Sequence, residues 1–333
     1  MRKIISFPDS ASRTNPDDQR PSNPSVWALG TRSFIMGTLN VTPDSFSDGG
    51  LHDTVPTAVA YAENAVKNHA DIIDVGGCST RPGATEISVE EEINRVVPVI
   101  RALRAANIVA PISIDTFRAS VALASVEAGA NCINDVRALR EPGFATVVKS
   151  LGIPVIMMHS RGTDAGVDKE YGPAGVVEGV RAELGSQVRG ALDAGVRRWN
   201  IIIDPGIGFS KSVAGNLELV RDLAKLSGRY TSGTARRPSG SVVFPAALAA
   251  HASVAKQFSQ NVLDHMPVLV GTSRKSYLGA LLGKPKAPPI ERDHATLAAV
   301  VASIQQGCDI LRVHDVPGCW DAAVVADALY RTA

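Results

Sequence analysis

The sequence of 333 residues lacks any long apolar run, so no membrane-spanning helix is expected. Aromatic residues make up only 5% of the chain, whereas hydrophobic residues make up 45%. This balance favours an aliphatic core of the kind found in parallel α/β folds over an all-β sandwich. The chain is long for one domain, but α/β barrels often reach this length as a single unit.

The chain also lacks an excess of charge of one sign, since its formal net charge is +1. We therefore expect no nucleic-acid partner and no membrane partner, and an anionic ligand has to be bound by a few local groups. The four cysteines form no Cys-x-x-Cys pair and have no zinc-ligand spacing. Their pattern favours a reducing compartment, which predicts a cytoplasmic location with the mitochondrion as the alternative.

Short aliphatic runs alternate along the chain with longer helix-like stretches. The runs are too short for free-standing helices and too uniformly apolar for strands with one wet face, so they predict buried parallel strands. They span residues 33–40, 71–77, 111–116, 131–136, 154–160, 200–206, 266–273 and 309–315. Helices are predicted over residues 55–68, 89–106, 119–128, 176–194, 214–226 and 295–306. Such units build a closed barrel or a doubly wound sheet, and their number favours a single (β/α)8 TIM barrel.

Two segments depart from this alternation. Residues 1–30 contain several prolines and mixed charges, and we predict a flexible lead-in there, with the barrel over residues 31–333. The acidic residues of the lead-in argue against a mitochondrial transit peptide. Residues 227–265, rich in Gly, Ser and Arg at their start, predict a surface insertion before the seventh barrel strand.

Each aliphatic run ends, on its C-terminal side, in residues able to do chemistry. These are Asn40, Asp74, Asp115, Asn134 with Asp135, His159, Asp204, Ser273 to Lys275, and Arg312 with His314 and Asp315. In a (β/α)8 barrel the C-terminal strand ends converge on one face, which holds the active site. A shared ligand relieves the cost of burying so many polar groups without partners.

The types of these residues indicate what they can bind. Asp115, Asn134 and Asp204 offer carboxylate and amide edges that pair with a flat heterocycle carrying alternating donors and acceptors. Lys275 can donate to such a ring and neutralise developing charge. Arg312 and His314 are placed to hold an anion, because the last loops of many barrels bind phosphate.

Two loops add to this pattern. Arg81, on the loop after the second strand, is a further cation for an anion, and Asn40 offers an oxygen ligand suited to Mg2+ that carries phosphate oxygens. Phe46 lies in a loop with nearby glycines, which is either a lid over the substrate or an ordinary turn. The sequence thus predicts a flat polar ring held deep, a phosphate group at the rim and room for a second substrate.

An ordered set of motifs resembles the dihydropteroate synthase family, in a form similar to its eukaryotic and especially fungal members. The motifs are NVTPDSFSDGG (40–50), GGCSTRPGA (76–84), SIDT (113–116), NDV (134–136), MMHSRG (157–162), DPGIGFSK (204–211), GTSRKSYLG (271–279) and RVHDV (312–316). One motif follows each predicted strand, so the resemblance covers nearly all of the chain after the lead-in. It departs from many bacterial members at Cys78, where they carry Glu or Gln.

The resemblance implies a role for each matched residue. Asp115, Asp204 and Lys275 would form the catalytic set and, with Asn134, hold a pterin ring. Asn40 would bind Mg2+. The other substrate contacts would come from Phe46, Thr80, Arg81, Pro82, Met157, Phe209, Ser273, Arg274, Arg312 and His314. Among these, Thr80, Pro82 and Ser273 would line a p-aminobenzoate pocket that sulfonamides also occupy.

The activity implied is that of a transferase in folate biosynthesis. It joins a pterin diphosphate to p-aminobenzoate with release of pyrophosphate, uses Mg2+ and works as a homodimer. Two alternatives stay open from the residues: a folate-dependent methyltransferase of the same barrel family, and a non-catalytic paralogue that binds pterin. Neither requires the diphosphate-binding residues together with the ring-binding ones.

Overall fold

The computed structural model describes residues 3–7, 25–41, 54–78, 86–162, 170–228 and 261–331. Its strands are β1 (Lys3–Phe7), β2 (Ser25–Leu29), β3 (Phe34–Asn40), β4 (Ile72–Gly76), β5 (Ile112–Asp115), β6 (Cys132–Asp135), β7 (Val155–Met158), β8 (Ile201–Asp204), β9 (Leu269–Val270) and β10 (Ile310–Val313). Its helices are α1 (Val55–Lys67), α2 (Val89–Ala105), α3 (Ala119–Glu127), α4 (Phe144–Leu151), α5 (Gly175–Asp193), α6 (Val213–Arg221), α7 (Leu223–Leu226), α8 (Ser276–Leu281), α9 (Asp293–Gln305) and α10 (Val316–Tyr330). No helix within these ranges is long and apolar enough to cross a membrane.

Strands β3 to β10 form a parallel sheet that curls into a barrel. Their order is β8-β7-β6-β5-β4-β3-β10-β9. The amide of Ile203 in β8 donates to the carbonyl of Pro267 at 2.9 Å, and Ile203 also bridges Val268 in parallel. The residues just before β9 thereby contact β8, so the two edges of the sheet meet and the barrel is nearly closed. The (β/α)8 TIM barrel predicted from the alternating runs is confirmed.

The predicted helices appear within one or two residues of their expected bounds, except that residues 214–226 divide into α6 and α7 at Asp222. Local sequence explains the ends of these helices. Ser88 caps α2 by accepting from the amide of Glu91 at 3.1 Å, and acidic residues fill the first turn. Gly129 and Gly307 follow α3 and α9 with φ of 120° and 84°, which only glycine adopts readily.

The barrel interior is apolar at its N-terminal end. One buried cluster collects a side chain from nearly every barrel strand, namely Phe34, Met36, Ile72, Cys132, Ile156, Ile202, Leu269 and Ile310. Only the inside of the barrel can bring all these strands together. Because side chains alternate along a strand, the residues two positions later also face inward, and these are polar at most strands.

The prediction of a flexible lead-in is wrong for residues 3–7 and 25–30. Strands β1 and β2 pair antiparallel, with Ile5 opposite Trp27. Ile5 and Phe7 are 0% and 1% exposed and join the apolar cluster at the bottom of the barrel. Trp27 stacks on Phe34 with ring centroids 4.4 Å apart. The hairpin thus covers the N-terminal end of the barrel, where exposed apolar side chains would otherwise meet water.

Most of the predicted insertion lies outside the described residues. Its two ends are described, and they are held together: the amide of His265 donates to the carbonyl of Ser227 at 2.9 Å. Asn261 also donates from its side chain to the carbonyl of Leu226 at 3.2 Å. The chain therefore leaves and re-enters the barrel at one place.

Candidate active site

Polar strand ends predicted from the sequence, among them Asp74, Asp115, Asn134, Asp204 and Arg312, meet at the C-terminal mouth of the barrel, whereas His159 pairs with Glu183 behind it. Asp74, Asn134, Asp204 and Arg312 each stand two residues after a member of the apolar interior layer, so they face inward above it. Asp115 ends β5 and lies in register with Gly76 of β4. Strand pairing in register therefore brings carboxylates, an amide and a guanidinium into one cavity.

Arg312 links two carboxylates in this cavity. Its Nε donates to Asp74 Oδ2 at 2.6 Å and its Nη2 donates to Asp115 Oδ2 at 2.8 Å. Asn134 Nδ2 donates to the same Asp74 oxygen at 3.1 Å. Asp74 Oδ1 is buried and has no hydrogen-bond partner in the described part of the chain. The network thus keeps an acceptor free at the base of the site.

Burial tunes the acids of the site. It raises the pKa of Asp115 to about 7, although Arg312 opposes the shift, and nearby Asp74 adds to it. Burial likewise raises the pKa of Asp204 to about 6, against the lowering effects of the Gly206 amide and of Lys275. Both carboxyl groups can therefore exchange a proton near neutral pH, and a ligand that donates hydrogen bonds would favour their ionised forms.

Lys275 faces these acids from the loop after β9. Burial and the charge of Arg312 lower its pKa to about 8, while Asp204 and Asp115 oppose the shift. Its Nζ lies 4.1 Å from the centre of the Phe209 ring, a cation–π distance. Gly208 lets the loops approach closely, because a Cβ there would lie 2.8 Å from Lys275 Cδ. Lys275 and Phe209 therefore lie together at the cavity, and their contact with substrate stays a prediction.

An apolar wall lies beside the polar groups, but its methionine is one residue later than predicted. Phe117, Val136 and Met158 form a small buried cluster against which Phe209 packs. Met157 instead joins the core between the barrel and the helices. The prediction of Met157 is therefore wrong by one position, and a shift of one residue along a strand reverses the direction of the side chain.

Two predicted site residues in the turn after β9, Ser273 and Arg274, contact different parts of the structure. Ser273 Oγ lies 2.9 Å from His314 Nδ1 and accepts from the His314 amide at 3.2 Å, so these two predicted residues meet. Arg274 is bound on another side: its Nε and Nη2 donate to Asp293 at 2.8 and 2.9 Å. This ion pair ties the turn to the start of α9, and the contact of Arg274 with substrate stays a prediction.

The remaining predicted contacts lie outside the described residues. They are Phe46, Thr80, Arg81 and Pro82, together with the loop that was predicted to be either a lid or an ordinary turn. These residues stay predictions.

Asn40, the predicted metal ligand, points into the space shared with Asp115. A Cβ built on Gly76 would lie 3.6 Å from Asn40 Oδ1 and 3.8 Å from Asp115 Oδ2. In the described ranges no three His, Cys, Asp or Glu side chains could hold a metal ion by themselves. One amide oxygen beside a carboxylate fits Mg2+ that arrives with substrate phosphates, because Mg2+ often binds through few protein oxygens.

Two residues of the site were not assigned roles from the sequence. Asp74 is one of the polar strand ends, and its pairing with Arg312 spans β3, which lies between their two strands. Lys211, in the DPGIGFSK motif, is buried and donates from Nζ to the carbonyl of Gly206 at 2.8 Å. In the sequence, Lys211 is marked only as a charged residue seven positions after Asp204, the residue that ends β8.

Comparison with known proteins identifies the family. The sequence profile described as "Pterin binding enzyme" matches residues 36–314. Dihydropteroate synthase of Synechocystis sp. is 38% identical over 312 residues, which are 93% of this chain and 95% of that protein. The chain belongs to the dihydropteroate synthase family of pterin-binding enzymes.

A longer relative and a solved structure agree with this assignment. The mitochondrial folate synthesis bifunctional protein of Arabidopsis thaliana is 38% identical over 93% of this chain, which spans only 52% of that protein's length. The structure of Xanthomonas albilineans dihydropteroate synthase with 4-aminobenzoic acid has 37% identity and a TM-score of 0.75. It covers 99% of this chain, and this chain covers 100% of it.

Proposed function

We propose that the chain condenses 6-hydroxymethyl-7,8-dihydropterin diphosphate with p-aminobenzoate. The products are 7,8-dihydropteroate and pyrophosphate, so the enzyme is a transferase of folate biosynthesis. The observation that carries the proposal is the cavity in which Asp115, Asn134, Asp204 and Lys275 converge above an apolar layer. The Synechocystis and Xanthomonas relatives carry the same activity in their names.

The pterin ring is held by its edges. It presents an amino group beside a ring N–H, and a carboxylate pairs with such an edge through two hydrogen bonds. Asp204 and Asp115 offer these acceptors, Asn134 offers an amide, and Lys275 donates to ring oxygen or nitrogen. The apolar wall of Met158 and Phe209 contacts the face of the ring.

Arg312 changes partners when the ring binds. In the structure it holds Asp74 and Asp115, and the donors of the ring replace it on Asp115. The guanidinium then turns toward the diphosphate at the rim, which His314 and Arg81 are also predicted to bind. The cation that pairs with Asp74 and Asp115 thus becomes the cation that binds the leaving group.

Asn40 Oδ1 would hold Mg2+ together with diphosphate oxygens. The ion, when bound, supplies positive charge to the departing pyrophosphate. The bond from the pterin methylene carbon to the diphosphate oxygen breaks and the oxygen keeps the electron pair. Asp115 stabilises the cationic pterin, and the amine nitrogen of p-aminobenzoate forms the new bond and loses a proton. No covalent bond to the protein is needed.

The second substrate would bind above the pterin. Thr80, Pro82 and Ser273 would line its pocket, and Phe46 would close over it. Of these, Ser273 has a described position, and its hydroxyl contacts His314. Sulfonamides, which resemble p-aminobenzoate, would compete for this pocket.

The chain would act as a homodimer through one side of the helical layer. Helices α8 and α9 pack against the segment Pro289–Arg292, and α6 packs against both helices. Leu217, Leu281, Leu282 and Ile290 of these elements leave large apolar side chains exposed. Leu217→Glu and Leu281→Glu should lower the mass measured by light scattering to that of a monomer, whereas Val109→Glu, which changes an exposed residue after α2, should not.

The location of the protein is also proposed rather than tested. The four cysteines are thiols outside any disulfide, which fits a reducing compartment such as the cytoplasm. The mitochondrion stays the alternative, since the Arabidopsis relative is named as mitochondrial.

The test of function is pyrophosphate release from the pterin diphosphate. Release that requires both p-aminobenzoate and Mg2+ and yields dihydropteroate supports the proposal. Pterin binding by calorimetry without release would indicate the non-catalytic paralogue. Methyl transfer from a methylated folate would indicate the methyltransferase. Asp204→Asn serves as the matched inactive variant.

A further inference from the structure

A buried cation that the proposed reaction does not use lies behind the loop of residues 205–211. Lys211 is 6% exposed and closes this loop between β8 and α6. Its Nζ donates to the carbonyl oxygens of Gly206 and Phe209, both at 2.8 Å, and lies 3.1 Å from His159 Nδ1. One amine thus ties both parts of the loop to the end of β7.

The surroundings of this amine favour its charged form. Two of its partners are carbonyl oxygens, which only accept, and an ammonium group has three N–H donors. Burial lowers the pKa of Lys211, but the carboxylate of Asp204 opposes the shift. If His159 Nδ1 is also an acceptor, all three N–H groups are satisfied only when Lys211 is protonated.

His159 is held in the tautomer that accepts at Nδ1. Its Nε2 lies 2.9 Å from Glu183 Oε2, and Arg161 donates to both Glu183 oxygens. Partial burial alone would raise the pKa of Glu183, but the hydrogen bonds from Arg161 and His159 lower it to about 2. An ionised Glu183 can only accept, so Nε2 carries the proton. Burial and the charge of Lys211 lower the pKa of His159 to about 3, so the ring is neutral.

The loop held in this way shapes both predicted catalytic groups. The Gly206 amide donates to Asp204 Oδ1 at 2.7 Å. The Phe209 ring contacts the Lys275 ammonium. The loop also packs directly on β7, because a Cβ on Gly206 would lie 1.9 Å from the His159 carbonyl oxygen. A small shift of the loop would therefore displace Asp204 and Lys275 together.

We propose that Lys211 is a positioning residue. Its ammonium group, held by the carbonyls of Gly206 and Phe209 and by Nδ1 of His159, fixes the loop so that Asp204 and Lys275 meet the pterin ring correctly. Glu183 and Arg161 support the position of Lys211 indirectly, because they fix the tautomer of His159. This inference rests on the proposed function, since it assigns Asp204 and Lys275 to the ring.

Lys211→Met tests the role directly because it keeps the length of the side chain and removes every donor. We expect kcat/KM for the pterin diphosphate to fall about a hundredfold. The KM for p-aminobenzoate should change little, because its predicted pocket lies on other loops. Lys225→Met is the matched control, since Lys225 pairs with Asp222 at the surface. Wild-type kcat/KM in Lys211→Met would overturn the proposal.

A pair of substitutions at His159 separates positioning from general packing. The amide oxygen of Asn can replace Nδ1 as the acceptor for Lys211, whereas the amide nitrogen of Gln can replace Nε2 as the donor to Glu183. We expect His159→Asn to stay within about threefold of wild-type kcat/KM and His159→Gln to fall as far as Lys211→Met. Equal losses, or a larger loss in His159→Asn, would contradict the proposal, whichever variant has the higher melting temperature.

The tautomer of His159 can be measured without any turnover. Nitrogen-15 spectra of histidine-labelled protein, assigned by the signal that disappears in His159→Asn, should show a neutral ring protonated at Nε2. A ring protonated at Nδ1 would overturn the inference even in an active enzyme. A correct tautomer in a wild-type protein that releases no pyrophosphate would instead count against the proposed function.

Discussion

Asp204→Asn removes the charge of a buried carboxylate while keeping its shape. Asp204 is 4% exposed, and burial raises its pKa from 3.8 to about 6. The folded chain therefore binds this proton more tightly than the unfolded chain. The contribution of Asp204 to the free energy of unfolding falls as the pH rises from 3.8 to about 6, and it is constant at higher pH.

The size of the effect follows from this shift. Roughly two pKa units correspond to about 3 kcal/mol. The Asn variant is uncharged at every pH, and its side-chain oxygen can still accept from the Gly206 amide. We expect it to gain up to about 3 kcal/mol in the free energy of unfolding at alkaline pH and almost nothing below the pKa of the unfolded chain.

The same variant should bind the pterin poorly. An amide nitrogen would face ring donors that need an acceptor, so affinity should fall about a hundredfold or more. Urea unfolding followed by tryptophan fluorescence at about pH 8 and about pH 4 measures the first effect, and calorimetry measures the second. An equal gain at both pH values, or a loss of stability at the higher one, would refute the electrostatic reasoning.

Three further substitutions test other parts of the structure. Lys275→Ala should lower kcat/KM for the pterin diphosphate about a hundredfold, since it removes the cation beside Phe209, and near-full activity would contradict its assigned role. Gly206→Ala should destabilise the chain by at least about 3 kcal/mol, because its Cβ would meet the His159 carbonyl at a φ of 67°, and a normal melting temperature would contradict the loop geometry. Phe7→Ala should cost about 3–5 kcal/mol in urea unfolding with kcat unchanged, and an unchanged stability would mean that the hairpin does not cover the barrel.

The barrel could be predicted because its signals are local. Each strand is a short aliphatic run bounded by polar residues, and each helix has its own cap or glycine stop. The positions of Asp115, Asn134 and Asp204 followed from strand ends alone. The hairpin was missed because residues 3–7 form too short a pattern to stand out, and their partner strand lies beyond 17 intervening residues.

Other features depend on contacts between distant parts of the chain. Sequence did not distinguish Met157 from Met158, because both stand in one apolar run and only the register of β7 decides which faces the cavity. The pairing of Arg312 with Asp74 and Asp115 joins the last strand to the second and third strands of the barrel. The acceptors around Lys211 come from two loops, and no spacing rule predicts them.

The charges of the site form two linked layers, and this arrangement explains how a barrel can hold so many ionised groups. On the substrate side, Arg312 and Lys275 stand among the carboxylates of Asp74, Asp115 and Asp204. Behind the loop, Lys211 faces Asp204 from the other direction. A chain of hydrogen bonds links Lys211 to neutral His159 and His159 to Glu183. A ligand that replaces Arg312 as the partner of Asp115 must offer hydrogen-bond donors to Asp115. It must also offer an anion to the released guanidinium of Arg312. The proposed substrate, a pterin diphosphate, carries both, so its two ends match the charges of the cavity.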